Sequence, residues 1–452
     1  MTPADLAAAV RPAVLDLMDR LGAADHAAYL VGGSLRDLLL RREPHDWDLT
    51  TDARPDRLQQ LFPDAVYENA FGTVTVRDAT GQPVEITTFR SDHEYADYRR
   101  PHRVEFGDDI RLDLARRDFT VNAIAWGREA DAAANALVDP FDGLADIERK
   151  VLRAVGDPGA RFAEDALRMI RAVRLAAVLE LTIEPATVAA VREHAALAAH
   201  VSGERVSAEL EKLLASPRPS IGLRLMADTT LLDVLLPELA AQRGVPQNKI
   251  EGEDLLDHTL RSVDAVPVDR PVVRLAALLH DVGKPPTIDD GPFRGHEVVG
   301  AELAEAVLER LRTPKSATER VVRLVRHHMF TYEPDWGDAG VRRFIQRVGI
   351  DAVDDLFALR EADNVGSGMS AEAHGLDELR ARVDAELAAS VVLDRSRLAV
   401  RGDDLMAELG LPAGPRLGRI LDELLERVIA DPRLNDRATL LLLAESMLTE
   451  DR

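Results

Sequence analysis

Two periodicities divide the chain. Up to about residue 155, short apolar runs and strict alternation mix with helical spacing; beyond Arg161 nearly every apolar residue falls at helical intervals. The stretch "HAAYLVGGSLRDLLL" reads as a strand, a glycine turn and a helix. "GTVTVRDATGQPVEITTFR" reads as two alternating strands around a turn at Ala79–Pro83, a hairpin. The later helical pattern is broken at "SPRPS", "RGVPQ", "GKPPT" and "LPAGP". The predicted class is α+β, with a head over 1–155 built on a small mixed β-sheet, then an elongated all-helical body with breaks near 243 and 370. No repeat or low-complexity tract interrupts it.

The chain has 452 residues, of which 46% are hydrophobic, enough for several cores. It contains no cysteine, which excludes disulfides and thiolate zinc sites and suits a reducing cytoplasm. Asp5, Arg11, Asp16 and Asp19 interrupt any signal-peptide core, and no later stretch is long enough to span a membrane, so a soluble cytoplasmic protein without a membrane partner is expected. The net charge of −23 argues at first against nucleic acid. Net charge does not locate charges, however, and the cations are nearly all arginine, which suits bidentate phosphate and base contacts; GC-rich codon usage gives the same bias.

In "HDWDLTT", Asp46 and Asp48 would project from one face of a strand, like charges side by side. Taken alone the pair reads as a solvated turn; a hard cation such as Mg²⁺ between them is the functional reading. Glu85 of "VEITTFR" is a third acid that a short sheet can bring beside them, the pattern of two-metal phosphoryl transfer. Gly32 and Gly33 permit close backbone approach to a ligand, and Arg36 follows on the helix whose N-terminus offers N–H groups to phosphate.

"LVGGSLRDLLL…HDWDLTT", "VEITTFR", "LARRDFTVNAIAW", "VDPFDG" and "EDALRMIRAVRLA" occur in the order of the motifs of the class II nucleotidyltransferases, and from about residue 30 to 215 the chain resembles the bacterial CCA-adding enzyme and poly(A) polymerase family. The resemblance implies that Asp46 and Asp48 hold Mg²⁺, with Glu85 completing the catalytic acids. It further implies that Gly32, Gly33 and Arg36 contact the nucleotide, and that Arg117 and Asp118 reach phosphate and the ribose 2′-hydroxyl. Asn122 and the "DPFDG" turn read as scaffold, with Asp139 and Asp142 capping local N–H groups. In the family a flexible loop at the place of "SDHEYADYRRPHRVEFGDDIRLD" accompanies A addition, and its presence favours the full activity.

Asp165 and Arg168 stand three apart, which predicts one face of one helix. An aspartate accepts and an arginine donates, whereas cytosine and adenine each present an amine beside a bare ring nitrogen; uracil and guanine reverse both partners. Arg171 and Arg174 continue the stripe and are expected near the nucleotide. The alternative is a solvated face held by i, i+3 ion pairs.

In the body, His258, His280–Asp281, His296, His327 or His328, and Asp363 form an imidazole and carboxylate set suited to Mn, Fe, Ni or Mg. Their order resembles the HD phosphohydrolases and implies hydrolysis of phosphomonoesters or 2′,3′-cyclic phosphates. The expected divisions are a nucleotidyltransferase head (1–155), a base-selecting and RNA-binding neck (156–243), an HD domain (244–370) and a tRNA-contacting tail (371–452) in which Gly414–Pro415 and Gly418 open a helix. The expected activity is CCA addition to tRNA from CTP and ATP. Two rivals stand beside it: a poly(A) polymerase, expected to carry a basic C-terminal extension, and an HD phosphohydrolase whose head only binds nucleotide or RNA.

Overall fold

The computed structural model describes residues 3–67, 72–95, 101–130, 132, 134–247, 249–290, 293–389 and 392–450. The chain divides into two compact units, Met1–Pro237 and Glu238–Arg452.

Among the described residues, the first unit as far as Val138 carries nine strands: β1 (Ala28–Val31), β2 (Asp48–Thr51), β3 (Val66–Tyr67), β4 (Thr73–Arg77), β5 (Pro83–Thr88), β6 (Arg90–Tyr95), β7 (Pro101–Phe106), β8 (Ala125–Arg128) and β9 (Ala136–Val138). Seven of them form one sheet in the order β3-β4-β5-β2-β1-β8-β9. It is mixed, because β2 and β5 run parallel while the other pairs are antiparallel. All four residues of β1 are buried. Their alternation sends Ala28 and Leu30 into a core with Leu49, Val74, Ile86 and Trp126, and Tyr29 and Val31 into a second with Phe89 and Ala125. The expected β4–β5 hairpin forms, its turn held by Asp78, whose carboxylate accepts from the N–H groups of Thr80 (2.8 Å) and Gln82 (3.0 Å).

Two expectations change. Instead of a glycine turn, the helix Gly32–Leu39 starts directly after β1. The polar segment after Glu85, expected as a loop, contains the antiparallel pair β6–β7; its middle, 96–100, lies outside the described residues. β6, "RSDHEY", is almost wholly polar and shows no alternation, so its strand comes from pairing with β7 rather than from a pattern in the sequence.

Among the described residues, the remainder is helices and loops apart from a two-residue parallel pairing of Val151–Leu152 with Thr182–Ile183 and isolated bridges. In the second unit the helices Leu255–Ala265, Pro271–Leu279, His296–Arg310, Lys315–His327 and Val353–Gly366 pack together. A Cβ on Gly283 would lie 2.1 Å from the His296 carbonyl oxygen, so only glycine lets the turn after Asp281 meet the start of the His296–Arg310 helix.

Candidate active site and metal centre

The head site gathers around the edge of β2. Asp48 opens that strand, and its parallel partner across the ladder is Glu85, so both acids stand on one face of the sheet. Asp46 lies in the bend before the strand and not in it as the spacing predicted. Burial raises the Asp48 pKa and Asp46 raises it further, while Arg117 and Arg36 pull the other way. A carboxylate this short of counter-charge fits a cation site.

Gly32 adopts φ +68°, and a Cβ there would lie 3.1 Å from Arg117 Nη1 and 3.4 Å from Asp48 Oδ2. Glycine is favoured here by the left-handed backbone, and a Cβ would also crowd the Arg117 guanidinium and the Asp48 carboxylate. Arg36 donates to Asp37 (2.7 Å) and through Nη1 to Asn122 (2.8 Å). Asn122 in turn donates to Asp118 Oδ1 (2.9 Å), so this residue, read as scaffold, ties two candidate nucleotide contacts together. Asp139 caps Gly143 and Leu144 as expected. Asp142 makes no side-chain cap; it occupies a left-handed position at φ +59°.

Asp118 is buried and accepts from the Phe119 N–H, Asn122 and Arg171. Although burial alone would raise its pKa, the Arg171 guanidinium and these hydrogen bonds hold it far below the usual carboxylate range.

Asp165 and Arg168 do not share a helix. Asp165 is an extended residue (φ −143°) joining the helices Pro158–Glu164 and Leu167–Leu179, and its Oδ1 accepts from the Leu167 N–H at 3.1 Å. Its short side chain competes with the helix for backbone N–H groups, which explains a break that spacing alone did not show. Its Oδ2 accepts from Arg205 (2.7 Å), while Arg168 donates to Glu164 (2.6 Å) and to the Arg116 carbonyl (2.9 Å). Arg171 and Arg174 pair with acids from other elements, Asp118 and Glu209, and not along their own helix.

The helix Gly203–Leu214 belongs to the expected helical body, but none of its residues was singled out as part of the site. Arg205, Glu209 and Lys212 stand at i, i+4 and i+7, and all three reach the site: Arg205 on Asp165, buried Glu209 on Arg174, Lys212 in the cavity wall. That periodicity was the available signal.

Two cavities meet at the acid pair. One, of about 480 Å³, is lined by Arg117, Asp118, Asp165, Arg168, Arg171 and Arg205. The other, of about 650 Å³, is lined by Arg42, His45, Leu175, Val178, Leu179 and Ser216. Gly33, Arg36, Asp46, Asp48, Arg174 and Lys212 belong to both.

In the second unit, His258, His280 and Asp363 form one buried ligand triad, and Asp281, His296 and His328 another. Asp281 links them: its Oδ2 lies 3.1 Å from His280 Nε2 and its Oδ1 3.4 Å from His296 Nε2. In His280, His296 and His328, Nδ1 donates to the Ala277, Phe293 and Val325 carbonyls (2.8, 2.7 and 2.7 Å), leaving each Nε2 lone pair directed inward. Asp281 Oδ1 is buried and receives no hydrogen bond. Inward lone pairs and an orphaned carboxylate oxygen fit bound divalent cations. Burial lowers the His280 pKa; burial also opposes charge on His258, but hydrogen bonds to Asp281 and Asp363 raise it overall. His327 takes no part. Burial and then Arg347, Arg326 and Arg323 depress its pKa, and the adjacent His328 occupies the position in the centre.

Comparison with known proteins matches this architecture. Residues 28–153 match the poly A polymerase head domain, 180–243 the probable RNA and SrmB-binding site of polymerase A, and 250–365 the HD domain. The CCA-adding enzyme of Geobacillus sp. (strain WCH70) is 33% identical over 92% of this chain and 91% of that enzyme; that of Streptococcus mutans is 31% identical over 94% and 95%. The Bacillus stearothermophilus CCA-adding enzyme, solved with CTP, superposes with a TM-score of 0.71 at 27% identity, over 98% of this chain and 99% of that one. No helix among the described residues is long and apolar enough to cross a membrane. With matches of this identity running through nearly its whole length, the chain belongs to the family of CCA-adding enzymes, tRNA nucleotidyltransferases with an HD domain.

Proposed function

We propose that this chain adds CCA to tRNA 3′ ends from CTP and ATP without a nucleic-acid template. The observation that carries this reading is the pair of cavities sharing Asp46 and Asp48. Nucleotidyl transfer needs an attacking hydroxyl and a leaving pyrophosphate on opposite sides of one phosphorus. The arginine-lined cavity suits the triphosphate and base. The other, with an apolar wall at Leu175, Val178 and Leu179, suits the terminal nucleotide of the acceptor.

Asp46 and Asp48, with Glu85 beside them, would hold Mg²⁺, which when bound acidifies the attacking hydroxyl and offsets charge on the phosphates. Arg36 and Arg117 bind phosphate oxygens, and Gly32 and Gly33 let the backbone approach. Asp165 accepts from the exocyclic amine of C or A, and Arg168 donates to the neighbouring ring nitrogen. Each is held in waiting by another residue, Arg205 and Glu164 respectively, so the base exchanges one polar partner for another at little desolvation cost. The hydroxyl's proton leaves to solvent as the new phosphodiester forms and pyrophosphate departs. Residues 156–243 are assigned as the base-selecting neck and 371–452 as a tRNA-contacting tail, where Gly414 precedes the helix Pro415–Ala430.

The direct test is extension of a tRNA lacking CCA with CTP, ATP or both, resolved to one nucleotide, against an Asp46→Ala/Asp48→Ala control. CTP alone should give two additions and the mixture three. A long adenosine ladder would instead indicate a poly(A) polymerase.

The buried double triad supports a second activity, metal-dependent hydrolysis of phosphate esters at 244–370. His258, His280 and Asp363 would hold one divalent ion, and His296 and His328 a second, with Asp281 between them.

A further inference from the structure

Above the histidine centre lies a set of donors that no metal ligation employs. Lys284 Nζ is buried and donates to Asp281 Oδ2 (2.7 Å) and to Gln247 Oε1 (3.4 Å). Gln247 Nε2 is itself buried and has no hydrogen-bond partner. Two residues further along the same segment, Lys249 donates to Ser367 Oγ (2.8 Å) and stands 3.8 Å from Asp363 Oδ1, with a third of its side chain exposed. Arg360 closes the far side on Asp363 Oδ2 (2.7 Å).

The charge pattern says what such a shell is for. Asp281 and Asp363 are the only carboxylates in the two triads, and three cations already surround them. Two divalent ions would leave the pocket strongly positive, an excess that a multiply charged anion would offset. Lysine offers a flexible point charge to a phosphate, and a primary amide offers a directed donor.

We infer that Gln247 and Lys249 form a phosphate-gripping subsite for the HD centre, taking the terminal or cyclic phosphate of a nucleotide or RNA end. The inference rests on the phosphohydrolase reading of the centre. Lys249 exchanges its Ser367 contact for a phosphate oxygen, and Gln247 Nε2 gains the partner it lacks.

The test uses the full chain loaded with Mn²⁺, with inorganic phosphate as the calorimetric ligand and p-nitrophenyl phosphate as the hydrolysis substrate. Lys249→Ala should weaken phosphate binding about tenfold or more and raise KM similarly, with Lys249→Arg restoring most of it. Gln247→Ala should show a smaller loss, and Mn²⁺ content should stay at the wild-type value in all three. Phosphate affinity unchanged in Lys249→Ala, or no phosphate binding by the loaded wild type, overturns the subsite. Lysine-dependent phosphate binding without ester hydrolysis retains the subsite and removes the hydrolase reading.

Discussion

Arg171 donates to Asp118 through Nε at 2.8 Å and approaches through Nη2 at 2.7 Å, although the two residues stand 53 positions apart. With the Phe119 N–H and Asn122 on the other oxygen, the carboxylate has no unused acceptor site. If Asp118 takes the ribose 2′-hydroxyl as proposed, the hydroxyl must displace one of these donors, which would couple sugar recognition to Arg171.

Asp118→Asn should narrow the preference for CTP over dCTP by about tenfold, read as the ratio of kcat/KM values. It should also destabilise the protein by about 2 kcal/mol at neutral pH, because Arg171 loses its closest counter-ion. The depressed pKa fixes the sign of the pH dependence. The pair's contribution is complete above the ordinary carboxylate value and is lost as pH falls towards the lower folded value. Denaturant midpoints across the acid range should thus fall less steeply in Asp118→Asn than in wild type.

Asp48 shows the opposite shift. Its raised pKa means that the ionised carboxylate costs stability in the metal-free protein above that pKa, a cost that vanishes below the unfolded value. Asp48→Asn should therefore raise the Tm of metal-free protein at neutral pH while abolishing nucleotide addition. A lower Tm would show that the carboxylate stabilises the fold rather than waiting for a cation.

The proposed base-selecting pair, Asp165 and Arg168, was legible as residue types but not as geometry. Spacing placed Asp165 and Arg168 on one helix; the structure breaks the helix between them, and both hold other partners. Periodicity reports neighbours three or four apart. It cannot report Glu209 on Arg174, 35 positions away, or Arg205 on Asp165, 40 away. The register of Asp48 with Glu85 was anticipated only as a convergence of acids, since pairing in a parallel ladder is fixed by tertiary packing.

From that geometry, Asp165→Ala should lower kcat/KM for CTP by about 10- to 100-fold and bring UTP closer to CTP, since a buried donor or acceptor left unpaired costs roughly 1–3 kcal/mol. Arg205→Ala, which frees the carboxylate without removing it, should leave the CTP to UTP ratio nearly unchanged. Misincorporation in the Arg205 variant equal to that in Asp165→Ala would mean that the ion pair, not the acceptor, selects the base.

The adjacent histidines give the sharpest contrast between sequence and structure. Either His327 or His328 met the chemical requirement, yet only one is in phase with the buried stripe Val321, Leu324 and Val325, and it is His328. His328→Ala should lower bound Mn²⁺, measured by elemental analysis, together with any phosphate-ester hydrolysis, and Asp281→Ala should abolish both. His327→Ala should leave both at wild-type values. CCA addition should persist in all three, because the head acids lie in a separate compact unit. Loss of addition in Asp281→Ala with the fold intact would show instead that the HD centre supports the head chemistry, and the two activities would then have to be treated as one.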